Sequence, residues 1–137
     1  ALRALVPGVP VLARAFIADV VFVADHVNKR RLPITLGTTI KLTCRMGACR
    51  VRIARVVAEL RRADFTVRQV APLVVRKGRL YRVHFVVSRN QPGVIVSPQH
   101  EVDELSRVVA SDATGAVVAA GVVRAVLSDD AAVSGVA

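Results

Sequence analysis

An all-β fold, an antiparallel sandwich or a barrel, is what this sequence predicts, and three observations predict it. Short alternating apolar/polar segments recur with turn signals about every ten residues. No segment keeps a 3.6-residue apolar stripe over three turns. Residues 116–127 (AVVAAGVVRAVL) form an apolar run broken only by Arg124, with Gly121 at its centre. That run is shorter than the roughly 20 residues a membrane helix requires. Its five valines favour a strand, because β-branching restricts χ1 in a helix and packs well on a pleated surface. A strand apolar on both faces belongs in the middle of a stacked or closed structure, and closure removes the edges that Val-rich strands otherwise expose.

The elements follow in order. Residues 1–12, with Pro7, Gly8 and Pro10, read as an irregular lead-in from a missing upstream domain. Residues 13–23 (ARAFIADVVFV) place Phe16, Ala18, Val20 and Phe22 on one face; the other is apolar except for Asp19, which makes a central strand. Residues 25–37 read as a loop, with Pro33 breaking pairing and Gly37 permitting a turn. Residues 38–45 alternate cleanly, turn at Met46-Gly47 and return through Cys49, Val51 and Ile53. The outer face of this hairpin is basic. The apolar phase slips near Ala54-Arg55, as a bulge would cause.

A charged connection over 60–66 leads to a short strand near 67–70, ended by Pro72, and then to a tight turn at Arg76-Lys77-Gly78. Residues 80–88 alternate again, with Tyr81, Val83, Phe85 and Val87 inward and Arg82, His84, Val86 and Ser88 outward, so His84 is expected on the surface face. Strands near 94–96, 105–110 and 116–127 complete the domain, 13–127. Residues 128–137 read as a flexible tail.

Composition bounds the rest. The 137 residues fit one domain, and with 53% hydrophobic content disorder is not the default reading. Charge is uneven: residues 29–89 hold 16 Lys/Arg against Glu59 and Asp64, whereas residues 90–137 hold two Arg against six acids. A positive middle third suggests a surface facing a polyanion. Cys44 and Cys49 lack the further ligands that structural zinc needs, so they read as ordinary thiols in neighbouring strands, consistent with a reducing compartment.

The sequence has no phosphate-binding loop and no nucleophile elbow. Ser97, His100 and Asp103 could be drawn as a triad, but nothing marks an oxyanion hole beside them. Glu101, Asp103 and Glu104 supply too few converging ligands for a hard cation and read as a solvated acidic loop. A non-catalytic binding module is expected, with no catalytic residue, no metal and no membrane span.

Four stretches carry a family resemblance. Val9-Pro10 through Phe16-Ile17-Ala18, Leu36-Gly37 with Leu42 and Cys44, and Ala71-Pro72 through Lys77-Gly78 followed by Val83 are the first three. The fourth is Leu105-Ser106-Arg107 followed by residues 117–123 (VVAAGVV). In order and spacing they resemble the third, C-terminal domain of translational GTPases of the elongation factor Tu/elongation factor 1-alpha superfamily, over roughly residues 9–127. Ser106 stands where that family has Gly, Val108 where it has Phe, and Ser111 where it has Arg; the turn at 113–115 is one residue longer. These departures favour a divergent member, first the ribosome-rescue GTPase that partners Pelota. The release-factor GTPase and elongation factor 1-alpha are the alternatives, and the barrel of the sulfate adenylyltransferase large subunit is a minor rival.

The resemblance implies a closed antiparallel Greek-key-type β-barrel with no cofactor of its own, GTP and Mg belonging to an absent G domain. It implies a cytoplasmic protein whose barrel packs on its own domain II and docks tRNA or a tRNA-like protein factor, of Pelota or release-factor type, on the ribosome. The isolated fragment is expected to be monomeric. Phe16, Gly78, Leu105, Arg107 and Gly121 are the structural positions of the family motif. Alternation and charge, not motif position, select Arg45, Arg50, Arg52 and Arg82 as the RNA- or partner-contacting surface.

Overall fold

The structure, a computed structural model, describes residues 2–3, 11–28, 32–45, 47–96 and 106–127. The expected positions of Leu105, of the acidic loop with Ser97, His100 and Asp103, of most of the lead-in and of the tail lie outside these residues.

Six strands make the wall: β3 (Ala15–Phe22), β6 (Thr39–Cys44), β7 (Gly47–Leu60), β9 (Leu80–Val87), β11 (Arg107–Ser111) and β12 (Val117–Leu127). They pair antiparallel in the order β12-β11-β6-β7-β9-β3, and β3 pairs back onto β12, closing the ring. In chain order the first strand crosses over to lie beside the fourth, while the second to fourth form a meander, which is a Greek key. The short strands are β1 (Leu2–Arg3), β2 (Val11–Ala13), β4 (His26–Val27), β5 (Leu32–Pro33), β8 (Val67–Val70) and β10 (Val94–Val96). Here β1 extends beside the end of β12, β2 pairs with β10, and β8 pairs with the far end of β7.

Period-2 alternation explains the wall. In β6 the burial pattern alternates residue by residue, with Ile40, Leu42 and Cys44 inward. β7 repeats this through Cys49, Val51 and Ile53, then shifts register between Ile53 and Arg55, where the apolar phase slips in the sequence. Inside, Phe16 lies against Phe85 (centroids 5.6 Å apart) and Phe22 meets Tyr81 edge-on at 5.7 Å. With so few aromatics, Val, Ile, Leu and Ala fill the remaining core. Cys44 and Cys49 are both buried thiols outside any disulfide, and burial, with Cys44 adding to it, pushes Cys49 up to about 11.

Two expectations need correction. Residues 25–37 are not wholly a loop: His26 and Val27 form a two-residue ladder with Pro33 and Leu32. A ladder this short and peripheral tolerates the proline that a central strand would exclude. The outer face of residues 116–127 is also not uniformly buried. In the closed wall it looks outward, and Ala120 and Arg124 are exposed while Val118, Ala119, Val123, Val126 and Leu127 are buried.

The turn between β11 and β12 is held locally. The β11–β12 pairing shifts register between Ala110 and Ser111. Asp112 Oδ1 then accepts from Thr114 N–H (2.9 Å), the Thr114 hydroxyl (2.6 Å) and Ala116 N–H (3.1 Å). Its second oxygen accepts from Asn28 N–H at 3.1 Å, tying this turn to the β4 segment. These donors, Thr114 first, hold the Asp112 carboxyl below the usual carboxylate range.

Candidate functional site

The outward side chains of the β6–β7 hairpin form an exposed positive surface. Register sets Lys41 directly opposite Arg50 and Thr39 opposite Arg52. After the β7 bulge, Arg55 comes to lie opposite His84 of β9. Arg45 stands at the hairpin tip, and Lys41, Arg45, Arg50, Arg52 and Arg55 are all exposed. Like charges directly opposite on one sheet face are about 5 Å apart at Cβ and destabilise the pair. A bound polyanion would turn that cost into attraction.

The same wall floors an open depression of about 620 Å³ between the Gln91 loop and the Asp112 turn. Lys41 and Arg50 line it on β6 and β7, and Gln91, Ser111 and Asp112 form its rims. Gln91 is held in place from two sides: its side-chain oxygen accepts from Arg50 N–H (3.2 Å), and its carbonyl accepts from Arg14 (2.6 Å).

Arg82 is placed elsewhere. It sits opposite Asp19 on β3, and its guanidinium makes a two-pronged contact with that carboxylate, Nε to Oδ1 at 2.8 Å and one terminal nitrogen to Oδ2 at 3.0 Å. Arg124 reaches the same carboxylate from the other side, at 2.8 Å, and lies 5.2 Å from the Phe65 ring centroid. The structure thus gathers Arg45, Arg50 and Arg52 on one hairpin and directs Arg82 into a separate network. Asp19 stood out in the sequence as a charge in an apolar strand. Its partners, 63 and 105 residues away, carried no local signal.

Among the motif positions, Phe16 is in the core and Gly78 takes φ +81° in the turn before β9, where its N–H donates to the Phe22 carbonyl (2.7 Å). Arg107 is exposed at the start of β11. Gly121 lies opposite Val20 at the closure, where a Cβ would run into the Asp19 carbonyl oxygen.

His84 faces outward, as alternation requires, but is half-buried, and its Nε2 is shielded with no hydrogen-bond partner among the described residues. Burial, then Arg55 and Arg52, lower its pKa below the usual 6.5. The unfolded chain therefore binds the proton more readily, and this contribution to stability fades as pH falls from about 6.5 toward the folded-state value. His84→Gln should remove that dependence. In urea titrations at pH 7.5 and 5.5, the parent is expected to lose more stability on acidification than the variant, and equal losses would exclude the effect.

Among the described residues no group of three or more His, Cys, Asp and Glu could hold a metal ion, and no helix is long and apolar enough to cross a membrane.

The family model described as GTP-eEF1A C-terminal domain-like matches residues 15–124, which is most of the barrel. The chain belongs to that family. Elongation factor 1-alpha-type C-terminal domains are β-barrels of translational GTPases, and the ring described above is the elongation factor Tu domain III-like form. Two structures of Sup35 are among the solved structures that share the fold. Sup35 complexed with GDP superposes with a TM-score of 0.66 at 17% identity, over 85% of this chain and 26% of that one. Sup35 complexed with GMPPNP gives 0.65 at 17% identity, over 87% and 26%. The chain therefore spans about a quarter of the length of the solved chains it matches. No curated protein matches. The match begins at the first residue of β3 and ends at Arg124, so this C-terminal domain family covers both sides of the closure seam.

Proposed function

We propose that this barrel is the non-catalytic C-terminal module of a cytoplasmic, ribosome-rescue-type translational GTPase. In this reading it docks tRNA or a tRNA-shaped protein factor on the ribosome. GTP hydrolysis belongs to a G domain elsewhere in the parent protein, and domain II packs beside the barrel. The observation that carries the docking face is the opposed Lys41–Arg50 pair, continued by Arg52 and Arg55 on an exposed wall and ending at Arg45. Alternation exposes these cations, and none of Lys41, Arg50, Arg52 and Arg55 forms an ion pair among the described residues. The departures Ser106, Val108 and Ser111 support a divergent, rescue-type member over an elongation factor.

The test is tRNA binding as a function of salt. Each phosphate contact contributes a slope of about 0.9 in log K against log salt. Arg50→Ala with Arg52→Ala should therefore weaken binding by roughly sixtyfold at 0.1 M salt and flatten the slope by about two contacts. Unchanged affinity in the double variant would remove this face from RNA recognition. Salt-independent or absent RNA binding, with tight binding to a Pelota-like or release-factor protein, would make protein docking its role.

A further inference from the structure

A second basic constellation lies at the far end of β7, away from the Arg50–Arg52 face. Glu59 is buried near the end of that strand, its side chain 7% exposed. It accepts from Arg79 at 3.2 Å and lies 3.5 Å from Arg68 Nε of β8. Arg68, Arg79, Arg76, Gln69 and Glu59 together line an open depression of about 270 Å³. Three guanidiniums against one carboxylate leave a net charge of +2 around it.

Its walls are held independently of any ligand. The Tyr81 hydroxyl accepts from Arg76 N–H at 2.7 Å, and Arg79 N–H donates to the Arg76 carbonyl at 3.3 Å. The turn carrying Arg76 and Arg79 is pinned further by the Gly78 hydrogen bond to Phe22. Glu59 fixes one side of the Arg68 and Arg79 forks, and each guanidinium has five N–H donors, more than one carboxylate can occupy. The remaining donors are available to the depression. Among the described residues no apolar side chain lines it, so they offer no anchor for a hydrophobic peptide. Planar forks with spare donors and a net charge of +2 suit a phosphate group.

We infer that the Arg68–Arg76–Arg79 depression is a phosphate site, taking one backbone phosphate of a bound RNA. It rests on the reading that this domain meets RNA, but not on which face is the principal one. Along β7, Glu59 is separated from Arg50 by nine residues, roughly 30 Å of strand, so the two sites take different phosphates and their effects should add.

Arg76→Ala is the informative variant, because it leaves both Glu59 ion pairs in place. Inorganic phosphate titrated into isotope-labelled protein at constant ionic strength should give saturable NMR shifts centred on Arg76, Arg79 and Gln69, absent in Arg76→Ala. For tRNA the variant should bind about eightfold more weakly at 0.1 M salt, with the salt slope reduced by about one contact. No saturable shift, or the same shifts with chloride, overturns the site. Phosphate-specific shifts with unchanged tRNA affinity and slope overturn RNA as its ligand. If Arg76→Ala weakens tRNA binding and the Arg50/Arg52 double variant does not, this site stands and the hairpin face fails.

Discussion

Gly121→Val is expected to destabilise the barrel by at least about 3 kcal/mol, at or beyond the upper end for overpacking of a tight interior. Gly121 sits on β12 opposite Val20, in the seam where the last wall strand meets the first. A Cβ there would meet the Asp19 carbonyl oxygen and lie 2.7 Å from Val20 Cα. These are backbone atoms, so no rotamer change relieves the overlap; β3 itself must move, and β3 is also paired with β9 along its length. Because the conflict begins at the first side-chain atom, Gly121→Ala should cost nearly as much as Gly121→Val. Global stability is only about 5–15 kcal/mol, so either change removes a large share of it. Urea denaturation followed by circular dichroism measures the loss, and parent-like midpoints for both variants would show that the seam can open locally at little cost.

Asp19→Ala should have the second largest effect. Asp19 is 2% exposed on the outer face of β3, and its carboxylate is the shared acceptor for Arg82 and Arg124. Removing it leaves two cations facing one another across β3. Breaking a fully buried pair costs about 3–5 kcal/mol. Here the arginine side chains are 37% and 35% exposed and can regain water, which brings the expected loss to about 2–3 kcal/mol. For a domain of this size that lowers the melting temperature by about 10 °C. Asp19→Asn keeps an acceptor and should lose less. In a double-mutant cycle Asp19→Ala with Arg82→Ala should be strongly non-additive, and simple additivity would mean the pair contributes nothing as a pair.

The sequence showed those parts of the fold that repeat every second residue. The β6–β7 hairpin, the inward face of β9 and the slip near Ala54 follow from alternation alone, because a strand displays its burial directly in its pattern. Alternation also set Arg45, Arg50, Arg52 and Arg82 outward. It could not show that Arg82 turns to Asp19, since that depends on β3 and β9 becoming neighbours across the Greek-key crossover. The Glu59 depression was illegible for the same reason: its arginines come from β8 and from the turn before β9, and they converge only once both segments lie beside β7. The brief pairing around Pro33 escaped because two residues are too short to alternate.

The seam between β3 and β12 also orders events in time. Its two strands, Ala15–Phe22 and Val117–Leu127, stand about a hundred residues apart along the chain, so joining them carries a long loop-closure cost that local hairpins avoid. The meander β6-β7-β9 can assemble from neighbouring segments, and β3 can then add to β9. No part of the chain that stops short of residue 117 can close the ring. Until that point β3 keeps an apolar flank open to other chains, and a contact pattern dominated by such distant pairs belongs to domains that fold in roughly milliseconds to seconds. The run that makes the barrel recognisable is thus also the one the nascent chain must wait for.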